Sequence, residues 1–112
     1  MKKARYLWIV SSKADPAKEA EYNKWYDQHV GTFFKFPGLK RVVRNKVYQP
    51  MQNPESCPQY VVIYEFDKKE DLEAFSKSDA AEEAKKEFME GWKGFGDFLW
   101  SGWYEPVKML ER

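Results

Sequence analysis

Gln59-Tyr60-Val61-Val62-Ile63-Tyr64-Glu65-Phe66 is the stretch on which the fold turns. Its β-branched and aromatic composition predicts a strand. Tyr60, Val62, Tyr64 and Phe66 share one side of it, and Val61 and Ile63 occupy the other. An antiparallel sheet with one face in water alternates apolar with polar. This strand is apolar on both sides, so its sheet needs a cover on each face.

Upstream, Arg5 to Ser11 reads as a first strand of the same kind, with Tyr6, Trp8 and Val10 opposing Leu7 and Ile9. Asp15-Pro16 then offers an N-cap acceptor followed by proline at the first helical position. The helix is expected to run to about Val30 and to close at Gly31. Phe36-Pro37-Gly38 is a turn signal, and Leu39 to Tyr48 reads as the second strand. Pro50, Asn53, Pro54 and Pro58 mark the loop back to Gln59.

Downstream, Leu72 and Phe75 set a helical pattern from Lys69. Ser76-Lys77-Ser78-Asp79 interrupts it, and Asp79 with Glu82 forms a capping box for a further helical piece. That piece carries Ala84 and Phe88 and ends near Gly91; after Gly94 and Gly96, Phe98 to Val107 reads as the last strand. The order β-α-β-β-α-β predicts an α+β, ferredoxin-like domain over residues 1–112. Its antiparallel four-stranded sheet has two helices on one face. The simplest cover for the other face is a second copy, sheet against sheet, in a homodimer.

Composition narrows the function. Of 112 residues 20 are aromatic (5 Trp, 7 Tyr, 8 Phe), beside 33% charged residues and a mean hydropathy of −0.80. Such a load excludes a disordered chain, which lacks the apolar surface to offset ordering entropy. With 19 Lys+Arg against 18 Asp+Glu the net charge is +1, without the basic excess of a nucleic-acid binder. Lys93-Gly94-Phe95-Gly96 imitates the start of an RNA-recognition motif, but it precedes the fourth strand rather than lying on the third, and Asp97 interrupts it. No apolar run approaches the roughly 20 residues of a membrane span, and Tyr6 to Val10 is too short for a signal peptide. Cys57 is the single cysteine, which points to a reducing, cytoplasmic setting. With one His and one Cys the sequence offers no metal-ligand spacing.

The only histidine, His29, lies one helical turn beyond Trp25 and two beyond Tyr22. It is either a general acid/base in an aromatic-walled pocket or a helix-terminal residue favoured by the macrodipole. Most aromatic residues must be core. Phenols and indoles, though, need polar partners when buried, and a cavity for a flat, partly polar ligand suits them. Trp8, Tyr22, Trp25 and Tyr64 are the expected walls. Arg44, beside Val42 and Val43 in the second strand, either holds a carboxylate or phenolate or is a charge that discourages edge pairing.

Tyr22-Asn23-Lys24-Trp25-Tyr26-Asp27-Gln28-His29 resembles the helix motif of the EthD-like proteins of the dimeric α+β barrel superfamily. Phe36-Pro37-Gly38-Leu39 is similar to the Pro-Gly turn that opens their second strand, and the polar break before Ala80 is also similar. The resemblance implies a ferredoxin-like protomer, a two-fold dimer, and a pocket in each protomer between sheet and helices. Members of the superfamily include decarboxylases, polyketide cyclases, lactone isomerases, cofactor-free quinone-forming monooxygenases and haem-degrading enzymes. The expected activity is that of a cofactor-independent acid/base enzyme acting on a small aromatic or polyketide-like carboxylate or phenol. Decarboxylation comes first, with Arg44 on the carboxylate, and cyclisation or dehydration next. The alternatives are a non-catalytic dimer that binds a hydrophobic aromatic metabolite, or a haem-handling or cofactor-free monooxygenase relative.

Overall fold

In the computed structural model, which describes residues 3–112, the expected βαββαβ order is present. The elements are β1 (Tyr6–Ala14), α1 (Glu19–Phe33), β2 (Leu39–Lys46), β3 (Tyr60–Phe66), α2 (Lys69–Phe75), α3 (Asp79–Gly91) and β4 (Gly96–Tyr104). The strands form one antiparallel sheet in the order β2-β3-β1-β4. None of the described helices is long and apolar enough to cross a membrane.

One face of the sheet carries the helices and the core. Tyr60, Val62, Tyr64 and Phe66 of β3 are at most 5% exposed and pack with Val10, Tyr22, Tyr26, Leu72, Phe75 and Ala84. Burying side chains of this size is worth about 1.5–3 kcal/mol each, so this face drives folding. The other face presents Leu7, Ile9, Val43, Val61 and Ile63, half-buried, and Tyr104, exposed. Its middle is apolar, and at one end Arg5 and Arg41 pair with Glu65, where residues of the C-terminal segment border it.

Element ends differ from expectation for physical reasons. Strand β1 continues through Ser12 to Ala14 because its serines are satisfied: the Ser12 hydroxyl bonds that of Tyr22, and Ser11 Oγ accepts from the Trp100 backbone N–H. Gly31 does not close α1. It faces solvent, and two further residues, Thr32 and Phe33, are rewarded by burial. The cap of α3 is Ser78 rather than Asp79, its Oγ accepting from the Ala81 N–H at 3.1 Å. The last strand starts earlier and ends earlier than Phe98 to Val107, because Gly96 and Asp97 pair with Ala14 and Lys13.

That pairing needs a glycine. A Cβ at position 96 would stand 2.1 Å from the Lys13 carbonyl oxygen. Backbone on both sides has little room to yield, so Gly96→Ala is expected to destabilise the fold by roughly 1–3 kcal/mol. A urea denaturation midpoint lowered without a change of slope is the expected reading.

Candidate functional site

Helix α1 presents two stripes that meet at His29. Tyr22, Tyr26 and Phe33 face the sheet and are buried, whereas Trp25 and Thr32 face α3. The facing side of α3 is built from small residues, Ala80 and Ala84, with Gly91 two turns further along. Trp25 fills the space above Gly91, its indole Nε1 3.0 Å from where a Cβ would be. The same stripe also contains Glu87, at heptad spacing from Ala80. Close approach of the two helices therefore brings a carboxylate to the histidine.

His29 Nδ1 lies 2.7 Å from Glu87 Oε1, and Thr32 Oγ1 donates to Glu87 Oε2 at 2.9 Å. Both carboxylate oxygens are engaged, so the carboxylate is fixed and in turn fixes the imidazole. Trp25 stacks on the ring at 4.3 Å between centroids, and Phe33 meets it edge-on at 4.8 Å. His29 is 7% exposed. Burial pushes its pKa below the ordinary value, against the upward pull of the Glu87 hydrogen bond and charge. Near neutral pH the ring is uncharged, with Nδ1–H donated to Glu87 and Nε2 left as the nitrogen available to a ligand.

His29 lines a cavity of about 320 Å³ between α1 and the sheet. Trp8, Phe33, Tyr64 and Phe98 contribute to its largely aromatic lining, and its polar groups are His29, Ser101 and the tyrosines Tyr26 and Tyr64. Burial holds both phenols well above their ordinary pKa, as neutral donors. The outer wall is β4, where a bulge at Leu99 shifts the register between Ser11 and Ser12. Such bulges re-aim side chains beside sites. A wider hollow of about 620 Å³ near Lys13, Asp15, Glu55 and Cys57 contains no histidine.

The structure thus brings together three of the six expected residues, His29, Trp8 and Tyr64. Trp25 touches His29 from outside the cavity. Tyr22 is fully buried against Ser12 and Tyr60 and does not line it. Arg44 is elsewhere: Nη1 meets Asp27 at 2.5 Å, Nη2 donates to Asn23 at 2.9 Å, and the guanidinium lies over the rings of Tyr22, Tyr26 and Tyr60. No lysine or arginine is among the cavity-lining residues. Glu87 and Thr32 were missed from the sequence; the available signal was an acidic residue in the small-residue stripe of α3.

The helix-backed antiparallel sheet has the ferredoxin-like fold found in EthD-like proteins. It matches an EthD (ethyl tert-butyl ether D) family protein from Bacillus halodurans C-125 with TM-score 0.67 at 16% identity, over 93% of this chain and 100% of that one. SnoaB, a cofactor-independent oxygenase from Streptomyces nogalater, matches with TM-score 0.68 at 11% identity, over 98% and 100%. A dimeric ferredoxin-like protein of unknown function from Jannaschia sp. CCS1 matches with TM-score 0.62 at 16% identity, over 92% and 100%. The chain belongs to the family described as domain of unknown function DUF4286, whose profile matches residues 5–99. No curated protein is similar to it in sequence.

Proposed function

We propose that the protein is a cofactor-independent oxygenase acting on a small, uncharged phenol or enol of an aromatic compound, with His29 as the base. The observation that carries this reading is the His29–Glu87 pair at an aromatic cavity lined by no cation. An anionic substrate would find no counter-charge there, whereas a neutral phenol is matched by ring faces and by one nitrogen base. The decarboxylase expectation asked Arg44 to hold a carboxylate, and Arg44 is engaged by Asp27 and Asn23 outside the cavity. The likeness to a cofactor-independent oxygenase in fold favours the same choice.

In this mechanism His29 Nε2 takes the phenolic proton, and Glu87 stabilises the imidazolium through Nδ1–H. Tyr26 and Tyr64, held neutral, donate hydrogen bonds to the resulting anion. The electron-rich ring passes electrons to dioxygen, a C–O bond forms at a ring carbon, and loss of water leaves the quinone. Phenol plus dioxygen gives quinone plus water, so no external reductant is needed. The test is an oxygen-electrode screen of naphthols and hydroxyanthracenes with metal-free, flavin-free protein. One dioxygen consumed per quinone formed is expected. Carbon dioxide release from aromatic acids without oxygen uptake would return the lyase reading, and binding without turnover would leave a carrier.

The pH profile tests the pair. Neutral His29 is the working form, so kcat/KM is expected to be full at neutral pH. It falls as pH drops through a pKa below the usual histidine value of roughly 6.5. Removing the Glu87 charge takes away the influence that raises this pKa. Glu87→Gln is therefore expected to move the acid limb to lower pH and to lower the plateau by about tenfold, because the base is weaker. A limb and plateau that both stay in place would show that Glu87 does not tune His29.

A homodimer is part of the same proposal. The middle of the sheet face away from the helices, with Leu7, Ile9, Val61 and Ile63, is apolar, the fold neighbour from Jannaschia is dimeric, and a two-fold contact of like surfaces is the commonest solution. Sedimentation of the purified chain at twice the protomer mass is expected.

A further inference from the structure

Among the described residues, every aromatic ring around Trp25 but one meets it edge-on. Tyr26, Phe88 and Trp92 stand at 81°, 70° and 70° to the indole, with centroids 5.9, 6.0 and 4.9 Å away. The imidazole of His29 lies flat on it, 4.3 Å away and inclined by 25°. Seen from His29 the choice is the same: Tyr26 and Phe33 are turned 81° and 72° from the imidazole plane.

Both helices build this stack. Trp25 and His29 are one turn apart on α1, the spacing at which helix side chains meet. On α3, Gly91 leaves the space the indole fills, since a Cβ there would stand 3.0 Å from Trp25 Nε1. A neutral imidazole gains only ordinary contact from lying on an indole. An imidazolium gains more, because the ring face is the negative side of the aromatic quadrupole and tryptophan presents the strongest such face. His29 is 7% exposed, and exclusion of water strengthens a contact of this kind.

Few titratable groups face the ring. From α3 it meets Glu87, from α1 the phenol of Tyr26, and across the cavity that of Tyr64 on β3. Among the described residues β1 and β4 bring no charged side chain to the cavity. An imidazolium formed here is held in its plane by one carboxylate and on its face by one indole.

We propose that Trp25 is a positioning residue that stabilises the protonated form of His29 by cation–π stacking, and so strengthens the base at the cavity. The stack stands on the geometry of α1 and α3. Its consequence for turnover rests on the reading of His29 as the base of the proposed oxygenase.

The test follows the sole histidine by NMR, in protein labelled at the imidazole Cε1. The parent, Trp25→Phe and Trp25→Leu chains are titrated with no substrate present. Losing the indole acts in two opposite directions. Relief of burial favours the imidazolium and tightens proton binding, whereas loss of the π face loosens it. The second is expected to win, with proton affinity about three- to tenfold lower in Trp25→Leu and an intermediate value in Trp25→Phe. An affinity unchanged or raised in Trp25→Leu overturns the proposal and leaves Trp25 a packing residue. If the leucine chain does not fold, Trp25→Phe, which keeps a ring against Phe88 and Trp92, decides by the same sign. The acid limb of kcat/KM is expected to move to lower pH together with the NMR midpoint. A midpoint that moves while the limb stays leaves the stack standing and overturns His29 as the base.

Discussion

Replacing His29 by alanine is expected to lower kcat/KM for the phenolic substrate by about 10²–10⁴-fold, the range for loss of a positioned general base. His29 is the only side chain in the cavity whose ordinary pKa allows it to accept a proton near neutrality. The two phenols there are held protonated by burial and cannot substitute for it. The fold is expected to survive the change. Glu87 is 29% exposed, so water can replace the imidazole at Oε1, while Thr32 keeps its bond to Oε2. Trp25 stays packed against Phe88 and Trp92. Far-ultraviolet circular dichroism separates the two effects, with the spectrum unchanged and the turnover lost. Imidazole added to the His29→Ala protein is expected to restore part of the rate by occupying the vacated volume. Turnover that persists in the variant without imidazole would remove His29 from the mechanism.

What could be read from the sequence follows how local the cause is. The strand Tyr60–Phe66 shows its two apolar faces by alternation alone, and β1 confirms the pattern in its register with it. That was enough to predict the sheet, the helices on one side and a need for cover on the other. His29 was legible because it is unique and sits on an aromatic stripe. Glu87 was not, because its role depends on how near α3 comes to α1. That distance is set by Ala84 and by Trp25 over Gly91, residues remote in sequence from one another. The bulge at Leu99 was equally hidden, since Leu99 and its two neighbours are large apolar residues and only the β1 register shows the extra position. The end of α1 was misplaced because a solvent-facing glycine costs a helix about 1 kcal/mol, less than burying Phe33 returns.

Arg44 separates a structural cation from a substrate-binding one. Arg44→Met keeps the aliphatic packing and removes the charge, and is expected to cost roughly 2–3 kcal/mol of stability. The cost has named parts. The guanidinium lies 4.7 Å from the Tyr26 ring centroid and within 5.6 Å of those of Tyr22 and Tyr60, and its bond to Asn23 ties β2 to α1. The pair with Asp27 contributes little by itself, because that carboxylate is 71% exposed and well solvated. Against these stands the buried Arg44 Nε, which has no hydrogen-bond partner and whose removal returns part of the loss. A melting temperature lowered by about 10 °C corresponds to this total for a chain of this size. At a temperature where the variant is fully folded, kcat/KM is expected to stay within about twofold of the parent, since no step of the proton transfer uses Arg44. The opposite pattern, an intact melting temperature with turnover lost, would place Arg44 on the substrate. It would restore an anion, a carboxylate or the phenolate itself, as the group that Arg44 recognises.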